Sequence, residues 1–68
     1  MADSVFKKVE VVGTSTVSLS DAIQKAVAKV AETEAKPSWF EVVEQRGAVA
    51  DGKVLQFQVT LRVGCKIE

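Results

Sequence analysis

The stretch that most constrains the fold is the last third of the chain, where residues alternate strictly in character. Leu55, Phe57, Val59, Leu61, Val63, Cys65 and Ile67 fall on one parity; Gln56, Gln58, Thr60, Arg62, Gly64 and Lys66 fall on the other. Side chains alternate across a strand, so this period of two predicts one long strand with an apolar face and a polar face. Just before it, Asp51-Gly52 can supply the positive φ angles of a two-residue hairpin turn. Upstream of the turn, Trp39 to Ala50 is rich in β-branched residues and predicts the partner strand.

A two-residue turn sets the register of the ladder. With Ala50 opposite Lys53, counting away from the turn sets Gln45 opposite Gln58, Val43 opposite Thr60, Glu41 opposite Arg62 and Trp39 opposite Gly64. All of these lie on the polar face. The chain's one tryptophan thus projects away from an ordinary core, facing a residue with no side chain. By the same count Glu44 and Arg46 fall on the nominal apolar face. A slip of one residue would invert every assignment.

The chain before the hairpin reads as one strand and one helix. Val5 to Val12 has valines on both parities, which predicts a strand partly covered on both faces, and Gly13-Thr14-Ser15 reads as its end. Met1 to Ser4 reads as a loose start. Ser18 is placed to cap the amide of Asp21, whose carboxylate is placed to bond back and favours the positive end of a helix. Leu19, Ile23, Ala26, Val27 and Val30 then recur at helical spacing, and Pro37 marks the exit. The expected fold is α+β: β-α-β-β, with a three-stranded antiparallel sheet curled around one helix, as a single domain over residues 1–68.

Size and charge narrow the function. A domain of 68 residues buries about 60% of its unfolded surface and often needs a staple. One cysteine and no histidine make neither a disulfide nor a structural zinc site. The net charge is zero, which argues against a nucleic-acid binder or a polybasic membrane anchor. Neither a membrane span nor a signal peptide is legible, so a cytoplasmic protein is expected. A helix of about 16 residues spans about 24 Å, whereas thirteen strand residues span about 43 Å. One helix cannot cover such a sheet. A homo-oligomer is therefore expected, with other subunits covering the rest, including the Trp39 face.

Val11-Val12-Gly13-Thr14-Ser15, Asp21-Ala22-Ile23, Trp39-Phe40-Glu41-Val42, Arg46-Gly47, Phe57-Gln58-Val59 and Val63-Gly64 follow one another over nearly the whole chain. In that order and spacing they resemble the dodecins, small flavin-binding proteins that assemble as hollow dodecamers. The resemblance implies a dodecamer in which pairs of flavins stack between symmetry-related Trp39 side chains. It implies that Gln58 hydrogen-bonds the polar edge of the ring and that Arg46 contacts a ribityl phosphate. The tail departs from the family's Val-Gly-Phe-Arg-Leu-Glu, reading Val63-Gly64-Cys65-Lys66-Ile67-Glu68. Lysine is a point charge where arginine is a planar fork, so the choice between FMN and riboflavin stays open.

Each candidate also has a plainer reading. Trp39 could be an interface anchor, since aromatic residues concentrate at interface centres. Gln58 suits a ring edge because its amide both donates and accepts. Gln45 joins it as a candidate contact in the derived register, although a solvated strand position is the better reading of it. Glu41 and Arg62 read as a cross-strand ion pair. Cys65 reads as a small buried hydrophobe, because no histidine is present to serve as its base. No catalytic or metal-ligating constellation is legible. The expected function is flavin storage and quenching of flavin photochemistry rather than catalysis. The alternative is a structural oligomer or interaction module whose ligand binding is weakened or lost.

Overall fold

A computed structural model describes residues 3–34 and 36–67. Met1 and Ala2 of the expected loose start, and Glu68 of the tail, lie outside the described residues. The chain runs β1 (Phe6–Ser15), α1 (Leu19–Thr33), β2 (Pro37–Ala50) and β3 (Lys53–Lys66). The strands form one antiparallel sheet in the order β1-β3-β2, so the alternating strand lies at the centre.

Helix α1 starts where its cap predicts. The Asp21 amide donates to Ser18 Oγ at 2.9 Å. The return bond differs from the expected capping box: Ser15 Oγ donates to Asp21 Oδ2 at 2.7 Å and accepts from the Val17 amide at 2.9 Å. Buried Ser15 thus ties the end of β1 to the first turn of the helix. With Lys25 also paired at 3.0 Å, these contacts hold the Asp21 carboxyl below its ordinary range, the Ser15 bond contributing most. Strand β1 runs on through Gly13 and Ser15 rather than stopping there. At Gly13 the strand passes so close under the helix that a side chain would collide with the Ala22 carbonyl and the Ala26 methyl.

The helix lays Ala22, Ala26 and Val30 on Val59, Leu61, Val63 and Cys65 of β3, and among the described residues these seven make up the buried hydrophobic core. Val9, Val11, Leu19, Ile23 and Val27 pack around them. Small residues on the helix permit this close approach, and the apolar parity of β3 supplies its other half. Cys65 is fully buried, as its parity predicts.

The hairpin turn is at Asp51-Gly52, both with positive φ. Its ladder, however, is not straight. Val49 and Ala50 pair with Val54 and Lys53, but Ala48 pairs with Gln56, leaving Leu55 as an extra residue on β3. Further on, Val42 pairs with Leu61 and Glu44 with Thr60, leaving Val43 as an extra residue on β2. Two opposed bulges shift the register by one over Glu44–Ala48 and then restore it. Within that window Arg46 faces Gln58, Glu44 faces Thr60, and Gln45 faces Val59. The straight count sets Gln45 opposite Gln58 and Val43 opposite Thr60, and the observed ladder has neither pair. The physical reason lies in the charges: a straight ladder would set Glu44 and Arg46 in the apolar row, and the extra residue turns them to the polar face.

The molecule is 56 Å long, whereas 15 helical residues span only about 22 Å. The helix covers one end of the sheet. Towards the turn Leu55 is 53% and Val49 67% exposed, and Val42, Val43 and Val54 are exposed as well.

Candidate functional site

The face of the sheet opposite the helix carries a regular grid, because β1 and β2 both pair with β3. Its rows run Lys8–Gly64–Trp39, Glu10–Arg62–Glu41, Val12–Thr60–Glu44 and Thr14–Gln58–Arg46. No helix lies over this face. Two places on it draw together the candidate residues, at opposite ends of the grid.

At the first, the Trp39 indole lies directly over Gly64. A Cβ at position 64 would collide with the indole atoms Cε2, Cζ2 and Cδ2. The glycine therefore serves the tryptophan itself: it lets the ring lie on the strand backbone. The indole remains 40% exposed, with Gly64 buried beneath it. Phe6 stands against the ring, centroids 6.1 Å apart and planes at 56°. Lys8 Nζ is 5.7 Å from the ring centroid and donates to Glu41 Oε1 at 2.7 Å. The result is an aromatic platform on a fixed backbone, bordered by an aromatic residue and an ion pair.

Glu41 and Arg62 are opposite each other, as the sequence count has it, but neither takes the other as its main partner. Arg62 Nε donates to Glu10 Oε1 at 3.1 Å, and Glu41 pairs with Lys8 of β1 across the central strand. The central strand gives Arg62 a carboxylate on each side, and Lys8 extends beside the indole to reach Glu41 on β2. Lys8, by hydrogen bond and by charge, holds the Glu41 carboxyl below its ordinary range, with a smaller pull from Arg62.

At the second place, Gln58 and Arg46 are directly paired, with Thr14 completing the row. Gln58 Nε2 donates to Gln56 Oε1 at 2.9 Å, which orients the amide. Gln45 is not in this group, since it lies on the other face. Gln58 precedes Gly64 by six positions on one strand, about 20 Å away at the usual strand rise. That is further than a single tricyclic ring reaches. One chain therefore sets Trp39 and Gln58 at opposite ends of this face, a spacing that favours a site drawing the two from different chains.

Phe6 and Lys8 were not among the residues singled out from the sequence. The alternation of the first strand puts them on one side, but no tight turn links β1 to β3. Their register beside Gly64 therefore cannot be counted. Among the described residues no group of three or more His, Cys, Asp or Glu could hold a metal ion, and no helix is long and apolar enough to cross a membrane.

The sequence model of the dodecin family matches residues 5–68. A dodecin of Thermus thermophilus is 47% identical over 64 residues, which are 94% of this chain and 93% of that protein. Among solved structures, a dodecin from Streptomyces coelicolor is 38% identical with a TM-score of 0.91, the match covering 100% of this chain and 97% of that one. A dodecin from Streptomyces davaonensis is 33% identical with a TM-score of 0.91, over 98% of each chain.

Proposed function

The chain belongs to the dodecin family, and from that premise we propose that it binds and stores flavin, FMN or riboflavin, in a homo-oligomer. The observation that carries the proposal is the half-exposed Trp39 indole, laid flat on Gly64 in a sheet face that no helix covers. A flat, backed aromatic surface suits a planar ring, and stacking on it is worth about 1 kcal/mol beyond burial.

In this reading Trp39 of one subunit takes the face of the ring, and Gln58 of a second subunit takes its polar edge. The Gln58 amide, oriented by Gln56, can both donate to and accept from an imide. Arg46, beside Gln58, offers a guanidinium to a phosphate where one is present. Facing copies of Trp39 enclose a pair of rings and exclude water from them. The exposed apolar residues near the turn, Val49, Val54 and Leu55, supply contact area between subunits of the dodecamer that the family resemblance implies. When bound, the flavin supplies an excited ring that accepts an electron, and the indole is the donor in contact with it. The role is sequestration and quenching in the cytoplasm, not turnover.

Titrating the ligand-free assembly with riboflavin and with FMN tests this. Emission from both the flavin and Trp39 is expected to fall to a plateau. Unchanged flavin emission at micromolar protein contradicts the proposal and favours the second reading, a structural oligomer with binding weakened or lost. That reading draws on Cys65 and Lys66, where the tail departs from the family's Phe and Arg.

A further inference from the structure

The Lys8–Glu41 pair has no part in the reading above, yet its ammonium stands in cation–π range of the platform. Lys8 Nζ lies 5.7 Å from the Trp39 ring centroid. It is held by Glu41 at 2.7 Å, two positions along the strand from Trp39. Other charges share this face: Arg62 and Glu10, bonded to each other at 3.1 Å, lie in the row of Glu41, and Lys66 lies opposite Phe6 in the row on the other side of Trp39. Of these charges, Lys8 is the one in cation–π range of the indole, and Glu41 is the counter-ion that fixes it.

We propose that Lys8 and Glu41 are positioning residues that set how readily the Trp39 indole gives up an electron to a stacked ring. The inference rests on the flavin reading of the site. One electron leaves the indole for the light-excited ring and returns on recombination; no bond forms or breaks and no proton is consumed. While the electron is away the indole carries a positive charge. A nearby ammonium opposes that charge and a nearby carboxylate favours it, in a half-exposed site where such interactions are only partly screened. Fixed by its partner, Lys8 restrains the donor, and Glu41 moderates the restraint.

Two substitutions separate this role from mere support of the ring. Lys8→Met keeps the aliphatic stem, removes the cation and leaves the carboxylate alone. Glu41→Gln keeps the shape and leaves the ammonium alone. If the pair only holds the indole in place, both variants loosen it and shift every readout the same way. If the pair sets the field, the two variants act in opposite directions. In the holo-assembly, the excited-state lifetime of bound riboflavin is expected to shorten several-fold in Lys8→Met and to lengthen in Glu41→Gln. In the ligand-free protein, whose emission comes from Trp39 alone, the emission maximum is expected to move oppositely in the two variants.

Shifts of the same sign, or none, in a wild-type protein that binds riboflavin overturn this inference and leave flavin storage standing. A wild-type protein that binds no riboflavin overturns flavin storage itself. In that case the ligand-free emission still decides whether the pair acts on the indole.

Discussion

The Trp39 indole and Gly64 occupy one volume: the ring lies where a side chain at position 64 would have to be. The relationship fixes the height of the ring above the sheet and leaves the indole 40% exposed. It also makes the two residues energetically inseparable.

Gly64→Ala should therefore act through Trp39. The methyl drives the indole off the strand, and we expect riboflavin affinity to fall at least tenfold, which is about 1.4 kcal/mol. In a Trp39→Ala background the same change should stabilise the subunit by about 0.5–1 kcal/mol, since alanine suits a strand interior better than glycine. A denaturant double-mutant cycle checks the sign change. Equal effects in both backgrounds would mean that the ring does not rest on Gly64.

The bulges at Val43 and Leu55 assign Arg46 and Gln45 to opposite faces. Arg46→Ala should weaken FMN binding more than riboflavin binding, with the difference shrinking at high salt. Gln45→Ala should change neither by more than about twofold, an effect of only a few tenths of a kcal/mol. Isothermal titration with both ligands makes the comparison. A larger loss from Gln45→Ala than from Arg46→Ala would restore the straight register at the site.

Asp21 links α1 to the end of β1 and carries a lowered pKa because Ser15 donates to it and Lys25 pairs with it. A depressed carboxyl stabilises the fold above its unfolded pKa, about 3.9 for aspartate, and that stabilisation is lost as pH falls through the lower folded value. Asp21→Asn should lower Tm at neutral pH and flatten the acid limb of the Tm–pH curve. Ser15→Ala should reproduce part of the flattening. An acid limb as steep as wild type in both variants would remove Asp21 from the account.

Val49 and Leu55 stand exposed beyond the reach of the helix. Replacing Leu55 with Asp should reduce the particle to smaller species on sizing while the far-ultraviolet circular dichroism of the subunit persists. An unchanged particle mass would place the subunit contacts elsewhere.

Much of the fold is legible in the chain. Alternation from Leu55 to Ile67 gives the central strand, Asp51-Gly52 the turn, Ser18 and Asp21 the helix start, and Pro37 the exit. What escapes is the path of the ladder between them. A bulge at a valine or a leucine has no composition of its own, so nothing at Val43 or Leu55 marks it. The trace it leaves is indirect: a straight count puts two charged residues, Glu44 and Arg46, in an apolar row. Read as a warning about register, that conflict would have turned Arg46 to the polar face and moved Gln45 away. The Trp39–Gly64 pairing survives because the two bulges cancel. Phe6 and Lys8 escape for another reason, since pairing across a helical crossover has no turn from which to count.

The central claim is that one flavin is held by Trp39 of one subunit and Gln58 of another. Co-expressing Trp39→Ala chains with Gln58→Ala chains, and titrating the mixed assembly with riboflavin, tests it directly. Each parent assembly should bind poorly, and the mixed assembly should recover wild-type affinity at a fraction of its sites, where an intact Trp39 meets an intact Gln58. A mixed assembly that binds no better than its parents would contradict the claim.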